Sequence, residues 1–114
     1  MSITERAEEI LINNTDVLKA FKDAGYKTIE YTMERILTHP VSFRYNYIIK
    51  RKDDLEEIGL LVLNEKYFTL RCANDKYNIP LIFSRGNYNK EGIEKVLKDA
   101  KKMSELIDDK KKEF

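Results

Sequence analysis

The chain has 114 residues, of which 42% are hydrophobic and 36% are charged, and it carries 21 lysines and arginines against 20 aspartates and glutamates. This length predicts a single domain, residues 1–114, that is large enough to bury a core without cross-links. The formal net charge of +1 excludes an overall field that would draw the protein to nucleic acid or to an anionic membrane.

The sequence also indicates where the protein is expected to act. Its single cysteine excludes an intramolecular disulfide. No apolar run approaches the roughly 20 residues that a membrane-spanning helix needs. The first ten residues contain acids instead of the basic and then apolar pattern of a signal peptide. We therefore expect a cytoplasmic protein with no membrane partner.

The N-terminal third of the chain is predicted to be helical. Ser2 and Glu5 have the spacing of a capping box that starts a helix, and Gly25 stands where a helix commonly ends. Between them, apolar positions recur in steps of three and four. The seam passes through Asn14, so the pattern leaves open one long helix over residues 3–24 or two helices broken near Asn14.

Residues 26–38 fit two structures. Their apolar positions share one face of a helix, yet residues 28–33 also alternate like a strand. The helical phase continues to the end of the segment, whereas the strand alternation fails at Arg35, so we predict a helix. It ends at His39-Pro40, because the residue before a proline avoids helical dihedral angles.

The middle of the chain is predicted to form an antiparallel meander of about four strands. Alternating or continuous apolar runs place the strands at residues 41–51, 58–63, 67–72 and 79–83. The second and third strands form a hairpin around the polar turn 64–66. Pro80 cannot donate a hydrogen bond to a neighbouring strand, which places the last strand at an edge or its proline near the strand's start.

The strand at residues 58–63 has apolar residues on both faces, which is typical of a strand that is covered on both sides. One cover is expected from the terminal helices. The second is expected from the helix predicted at residues 26–37 or from another subunit.

The chain is predicted to end in a long helix. Asn89 can cap it, with Glu91 in the first turn, and its apolar stripe contains Ile93, Val96, Leu97, Ala100, Met103, Leu106 and Ile107. The predicted fold class is α+β, with an antiparallel sheet packed against N-terminal helices and the C-terminal helix. The expected boundaries are helical residues 1–40, a sheet at 41–85, a helix at 89–108 and a frayed tail at 109–114.

Catalytic and metal motifs are not recognisable in the sequence. His39 is the only histidine and precedes a proline, which favours a structural role. Cys72 falls on the apolar phase of its strand, which favours a buried, inert thiol. The carboxylates lie in surface helical patterns or in the loop at residues 53–57, and the glycines do not form a phosphate-binding loop. We therefore predict that the protein is not an enzyme and uses no cofactor or metal.

Two patterns are compatible with binding to RNA or DNA. The helices predicted around Gly25 resemble a winged-helix recognition unit, although Glu30 and Glu34 would repel phosphates. Basic and aromatic residues of the sheet form a second candidate site, in which tyrosines stack on bases. Its members are Arg44, Tyr45, Tyr47, Lys50, Arg51, Lys52, Arg71, Arg85 and Tyr88.

The preferred hypothesis is a small interaction or regulatory protein that acts by binding another protein. It depends on the near-zero net charge and on the strand with two apolar faces. A second copy of the chain, in a homodimer, is one candidate for the partner. Nucleic-acid binding through the sheet residues is the alternative.

Overall fold

The computed structural model describes residues 16–36 and 42–113. Five strands form one antiparallel sheet in chain order, preceded by a helical segment at residues 16–23 (α1) and followed by a long helix (α2). A short 3₁₀ helix, Asp75–Tyr77, connects the last two strands. The other elements are β1 (Tyr26–Ile36), β2 (Ser42–Arg51), β3 (Glu57–Leu63), β4 (Tyr67–Asn74), β5 (Ile79–Asn87) and α2 (Lys90–Lys111).

The α+β class, the antiparallel meander and the long C-terminal helix are confirmed. The sheet has five strands, not about four, and one short helical segment is seen before it. The capping box, the seam through Asn14 and the His39-Pro40 boundary lie outside the described residues. The tail begins later than predicted, because α2 continues to Lys111.

The helix predicted at residues 26–38 is wrong, because its described residues form strand β1. β1 contains an extra residue, Tyr31: Glu30 pairs with Tyr47 of β2, but Thr32 pairs with Asn46. This bulge shifts the alternation by one residue. As a result, Tyr26 and Met33 lie on the same face of the sheet although they are seven residues apart. Seven residues also make two turns of a helix, so the same spacing fits one face of a helix. The correction also removes the second helix of the winged-helix interpretation.

The prediction for β3 needs a smaller correction. A regular alternation along residues 58–63 places Ile58 on the face of Leu60 and Val62, but Ile58 is fully buried in the core with Leu61 and Leu63. A register shift is the reason, since Ile49 pairs with Gly59 while Lys50 pairs with Glu57.

One face of the sheet is packed against the helices, and we call it the helix face. Alternate residues of β2, β3 and β4 point to this side and are fully buried where α2 crosses them. α1 contributes Val17 and Phe21 to the same core. The core residues with no exposed surface are Val17, Phe21, Ile49, Ile58, Leu61, Leu63, Phe68, Leu70, Cys72, Val96, Ala100, Met103 and Ile107.

The local signals at the ends of α2 and β5 act as the sequence predicts. The Asn89 side chain accepts a hydrogen bond of 2.7 Å from the Gly92 amide, which caps α2. β5 is an edge strand, and Pro80 is its second residue. The turn at residues 64–66 is closed by a 2.9 Å hydrogen bond from the Asn64 amide to the Tyr67 carbonyl.

Candidate interaction surface on the open face of the sheet

The second face of the sheet has no helix packed on it among the described elements, and we call it the open face. The strand register defines it, because laterally paired residues point to the same side. Leu60 of β3 pairs with Ile48 of β2 and with Arg71 of β4, and Arg71 pairs with Phe83 of β5. The residues on the open face include Lys27, Ile29, Thr32, Glu34, Arg44, Asn46, Ile48, Lys50, Glu57, Leu60, Val62, Tyr67, Thr69, Arg71, Leu81, Phe83 and Arg85.

Four large apolar side chains of β2, β3 and β5 lie on the open face. Leu81 and Phe83, two residues apart on β5, are 56% and 60% exposed. Leu60 and Ile48 are half-buried, and with Leu81 they line a shallow depression of about 210 Å³. Large apolar side chains exposed together in this way are typical of binding surfaces.

The charged residues on the open face are mostly cations. Lys27, Lys50, Arg44, Arg71 and Arg85 belong to it, together with the Glu57 carboxylate, and the register also places Glu34 there, opposite Arg44. Within the described part of the chain, neither the five cations nor Glu57 forms an ion pair. The Arg85 guanidinium instead lies 3.8 Å from the centroid of the Tyr67 ring.

The structure separates the nine residues of the predicted basic and aromatic site. Four of them lie on the open face: Arg44, Lys50, Arg71 and Arg85. The other five lie elsewhere: the three tyrosines are on the helix face, and the two remaining cations belong to the β2–β3 end.

The tyrosines of that predicted site have structural contacts. Tyr47 is buried in the core and Tyr45 packs against it. Tyr88 packs on the Phe68 ring at 5.5 Å between centroids, and its hydroxyl donates a hydrogen bond to the Asn64 carbonyl. Burial raises the pKa of the Tyr88 hydroxyl. None of these three rings is offered for stacking on the open face.

Arg51 connects the end of β2 to the C-terminal helix. Its guanidinium donates to the Asp54 carboxylate, to Asp108 at 2.7 Å and to the Ser104 carbonyl at 3.1 Å. Lys111 donates to Asp54 at 2.6 Å. Lys52, the other cation here, donates to the Lys22 carbonyl at 2.6 Å. These contacts hold α1 and α2 against the β2–β3 loop.

Asp54→Asn is expected to lower the stability of the protein at neutral pH, and this deficit should shrink below about pH 4. The hydrogen bond from Arg51 holds the pKa of the Asp54 carboxyl well below its ordinary value. A carboxyl whose pKa falls on folding stabilises the folded state above its unfolded pKa, and that contribution is lost as the pH falls through the folded pKa. Urea unfolding of both proteins between pH 7 and pH 2 measures the deficit.

Asp53→Asn is the matched control, since the exposed Asp53 carboxylate forms no ion pair with the described residues. It should leave the urea midpoint almost unchanged at neutral pH. A deficit for Asp54→Asn that stays constant down to pH 2 would contradict the proposed coupling.

Other groups offer less for chemistry. Cys72 is buried, and burial raises the pKa of its thiol to about 12, so it is a poor nucleophile. No three His, Cys, Asp or Glu side chains within residues 16–36 and 42–113 are grouped to hold a metal ion. A groove of about 450 Å³ between α1 and the start of α2 is lined by Val17, Ala20 and Leu97, among others. None of the helices described here is both long and apolar enough to cross a bilayer.

The sequence-based site omitted Leu81 and Phe83, the two most exposed apolar residues of the open face. The signal was present in the run Ile79-Pro80-Leu81-Ile82-Phe83. Pro80 confines this strand to an edge of the sheet, and large apolar residues point to both of the strand's faces. The apolar residues on one of these faces are exposed unless another element covers that face.

The fold and this surface define an α+β protein in which a five-stranded meander is covered by helices on one face. Searches of protein-family models, of curated proteins and of solved structures found no match for the chain.

Proposed function

We propose that this is a non-enzymatic interaction or regulatory protein of the cytoplasm and that its open face binds a protein partner. The observation that carries the proposal is the exposure of Leu81 and Phe83 beside Leu60 and Ile48. The helix predicted to cover this side is strand β1 instead. A partner chain is therefore the favoured cover.

The energetics of such a surface favour a protein partner. Complete burial of one leucine or phenylalanine side chain contributes about 1.5–3 kcal/mol. Leu81 and Phe83 lie on a strand that is already paired with β4, so little backbone order has to be gained when a partner binds. Exposed apolar patches with a polar rim mark sites of interaction with other proteins.

The test is affinity capture from a nuclease-treated lysate with the full chain as bait, quantified by mass spectrometry. Proteins enriched on the wild type should be reduced at least about tenfold on Leu81→Ser/Phe83→Ser, which removes both anchors. Leu106→Ser is the control, because Leu106 is an exposed leucine on α2. Equal capture by wild type and the double variant would refute the proposal.

Nucleic-acid binding is a second candidate, and one observation favours it: Arg44, Lys50, Arg71 and Arg85 lie on one face. Against it, Arg85 occupies one side of the Tyr67 ring, and three of the four large apolar side chains described above, Ile48, Leu60 and Leu81, are aliphatic. Nucleic-acid surfaces combine cations with accessible aromatic rings, and their affinity falls steeply with salt.

A gel-shift assay with random single-stranded and duplex probes at physiological salt tests this candidate. We expect no submicromolar binding. The informative variant replaces the four open-face cations with serine. Substitution of Arg51 or Lys52 would instead disturb the helix contacts described above.

A further inference from the structure

We infer that the partner of the open face presents carboxylates around an apolar anchor. This inference rests on the proposed function, because it concerns the same surface. It goes further by assigning the chemistry of the partner segment: one or more large apolar side chains that are flanked by aspartate or glutamate.

The first argument is the segregation of charge. The register places five cations and two carboxylates, Glu34 and Glu57, on the open face, a surplus of three positive charges, although the whole chain has a formal net charge of only +1. The remaining residues are therefore acidic on balance. Since the open-face cations have no ion pair in the described structure, a partner can neutralise them without breaking existing salt bridges. Complementary charge of this kind speeds and orients association.

The second argument is the position of the cations relative to the anchors. Arg71 lies in the same lateral row as Leu60 and Phe83, directly between them. Paired residues on one face are about 5 Å apart at Cβ, so a group that contacts Phe83 is within reach of the Arg71 guanidinium. Arg85 follows Phe83 on the same face of β5. An apolar anchor seated on Phe83 thus has two arginines beside it, which favours neighbouring carboxylates.

The same charges argue against a second copy of the chain on this face. A two-fold symmetric dimer brings a surface against a copy of itself. Here that would bring two predominantly cationic faces together and desolvate both, which is unfavourable unless the charges are paired. The homodimer is therefore not the favoured use of this surface.

Panning of a random twelve-residue peptide library against the immobilised full chain tests the inference. Peptides selected by the wild type should be enriched in aspartate and glutamate next to leucine, isoleucine or aromatic residues. Synthetic copies are then measured by fluorescence anisotropy at physiological salt. Binding should weaken at least about tenfold for Arg71→Glu/Arg85→Glu, and peptides with lysine in place of the acids should bind that variant more tightly than the wild type.

The control is Lys98→Glu/Lys101→Glu, which reverses two exposed charges on α2 and should leave peptide affinity unchanged. Circular dichroism confirms that each variant is folded.

The possible failures are distinguishable. One outcome is that the selected peptides are not enriched in acids, bind Leu81→Ser/Phe83→Ser more weakly than the wild type, and bind Arg71→Glu/Arg85→Glu as well as the wild type. This outcome would overturn the inference and leave the proposed function standing. Selection of no peptide that depends on Leu81 and Phe83 would count against both. Submicromolar oligonucleotide binding that is lost in Arg71→Glu/Arg85→Glu would overturn the acidic partner in favour of nucleic acid.

Discussion

Leu61→Asp is expected to destabilise the protein by about 3 kcal/mol or more. Leu61 has no exposed surface and lies in the centre of the helix face. It pairs laterally with Tyr47 and Leu70. A carboxylate at this position would be buried without a cation or hydrogen-bond donor, so it would either stay unpaired or bind a proton, and both states oppose folding. Urea unfolding followed by circular dichroism measures the change.

Leu60→Asp provides the matched control, because it introduces the same charge one residue earlier on the same strand. Leu60 is half-buried on the open face, and its lateral neighbour is Arg71. A carboxylate there remains in contact with water and lies next to a cation, so we expect a loss of less than about 1 kcal/mol. Equal losses for the two variants would contradict the assignment of one buried and one open face.

The sequence was sufficient to predict β2 and β4 because their side chains alternate, and β3 because its apolar run is continuous. Phe43, Tyr47 and Ile49 are buried as the alternation of β2 predicts. The cap at Asn89 and the edge position of Pro80 were also predictable, since each depends on contacts within a few residues. Patterns of this kind are local, and local patterns can be read without knowledge of the fold.

β1 could not be predicted because its bulge breaks the pattern on which strand prediction depends. Tyr31 adds one residue to the strand and is itself 63% exposed. A fixed period of two places Ile29 and Met33 on one face of the strand, but their partners in β2 show that they lie on opposite faces. The helical period fits the apolar positions of the segment without this conflict. Only pairing with β2 decides between the two structures, and pairing is a tertiary property.

The candidate site was only partly predictable for a related reason. Lys50 and Arg51 are adjacent and both carry a positive charge, but Lys50 lies on the open face and Arg51 binds Asp108 of α2, 57 residues away. Composition could not separate them. The anchors Leu81 and Phe83 were visible as apolar residues, but their exposure depends on which face the helices cover.

The seating of α2 explains why one face of the sheet is closed and the other open. Only two residues separate the end of β5 from the start of α2, so the chain must turn back sharply over the helix face. Two glycines make this possible. A Cβ atom on Gly86 of β5 would lie 2.6 Å from the Gly92 carbonyl oxygen and 2.9 Å from a methyl carbon of Val96. The first turn of the helix therefore packs directly on the backbone of the strand.

Gly92→Ala is expected to destabilise the protein by about 2–4 kcal/mol, although alanine is the better helix former by about 1 kcal/mol. A Cβ atom at this position would lie 2.6 Å from the Asn87 nitrogen, and it would approach the Asn87 carbonyl oxygen still more closely. Neither is a flexible side-chain atom, so the start of α2 must move away from β5 and lose packing around Val96.

Glu91→Ala, at an exposed position in the same turn, is the control and should change stability by less than about 0.5 kcal/mol. Thermal and urea unfolding of both variants measure whether stability rises or falls. If the Gly92→Ala protein were as stable as the wild type, or more stable, helix propensity would outweigh the close approach. The contact between β5 and α2 would then not be what fixes the helix on this face.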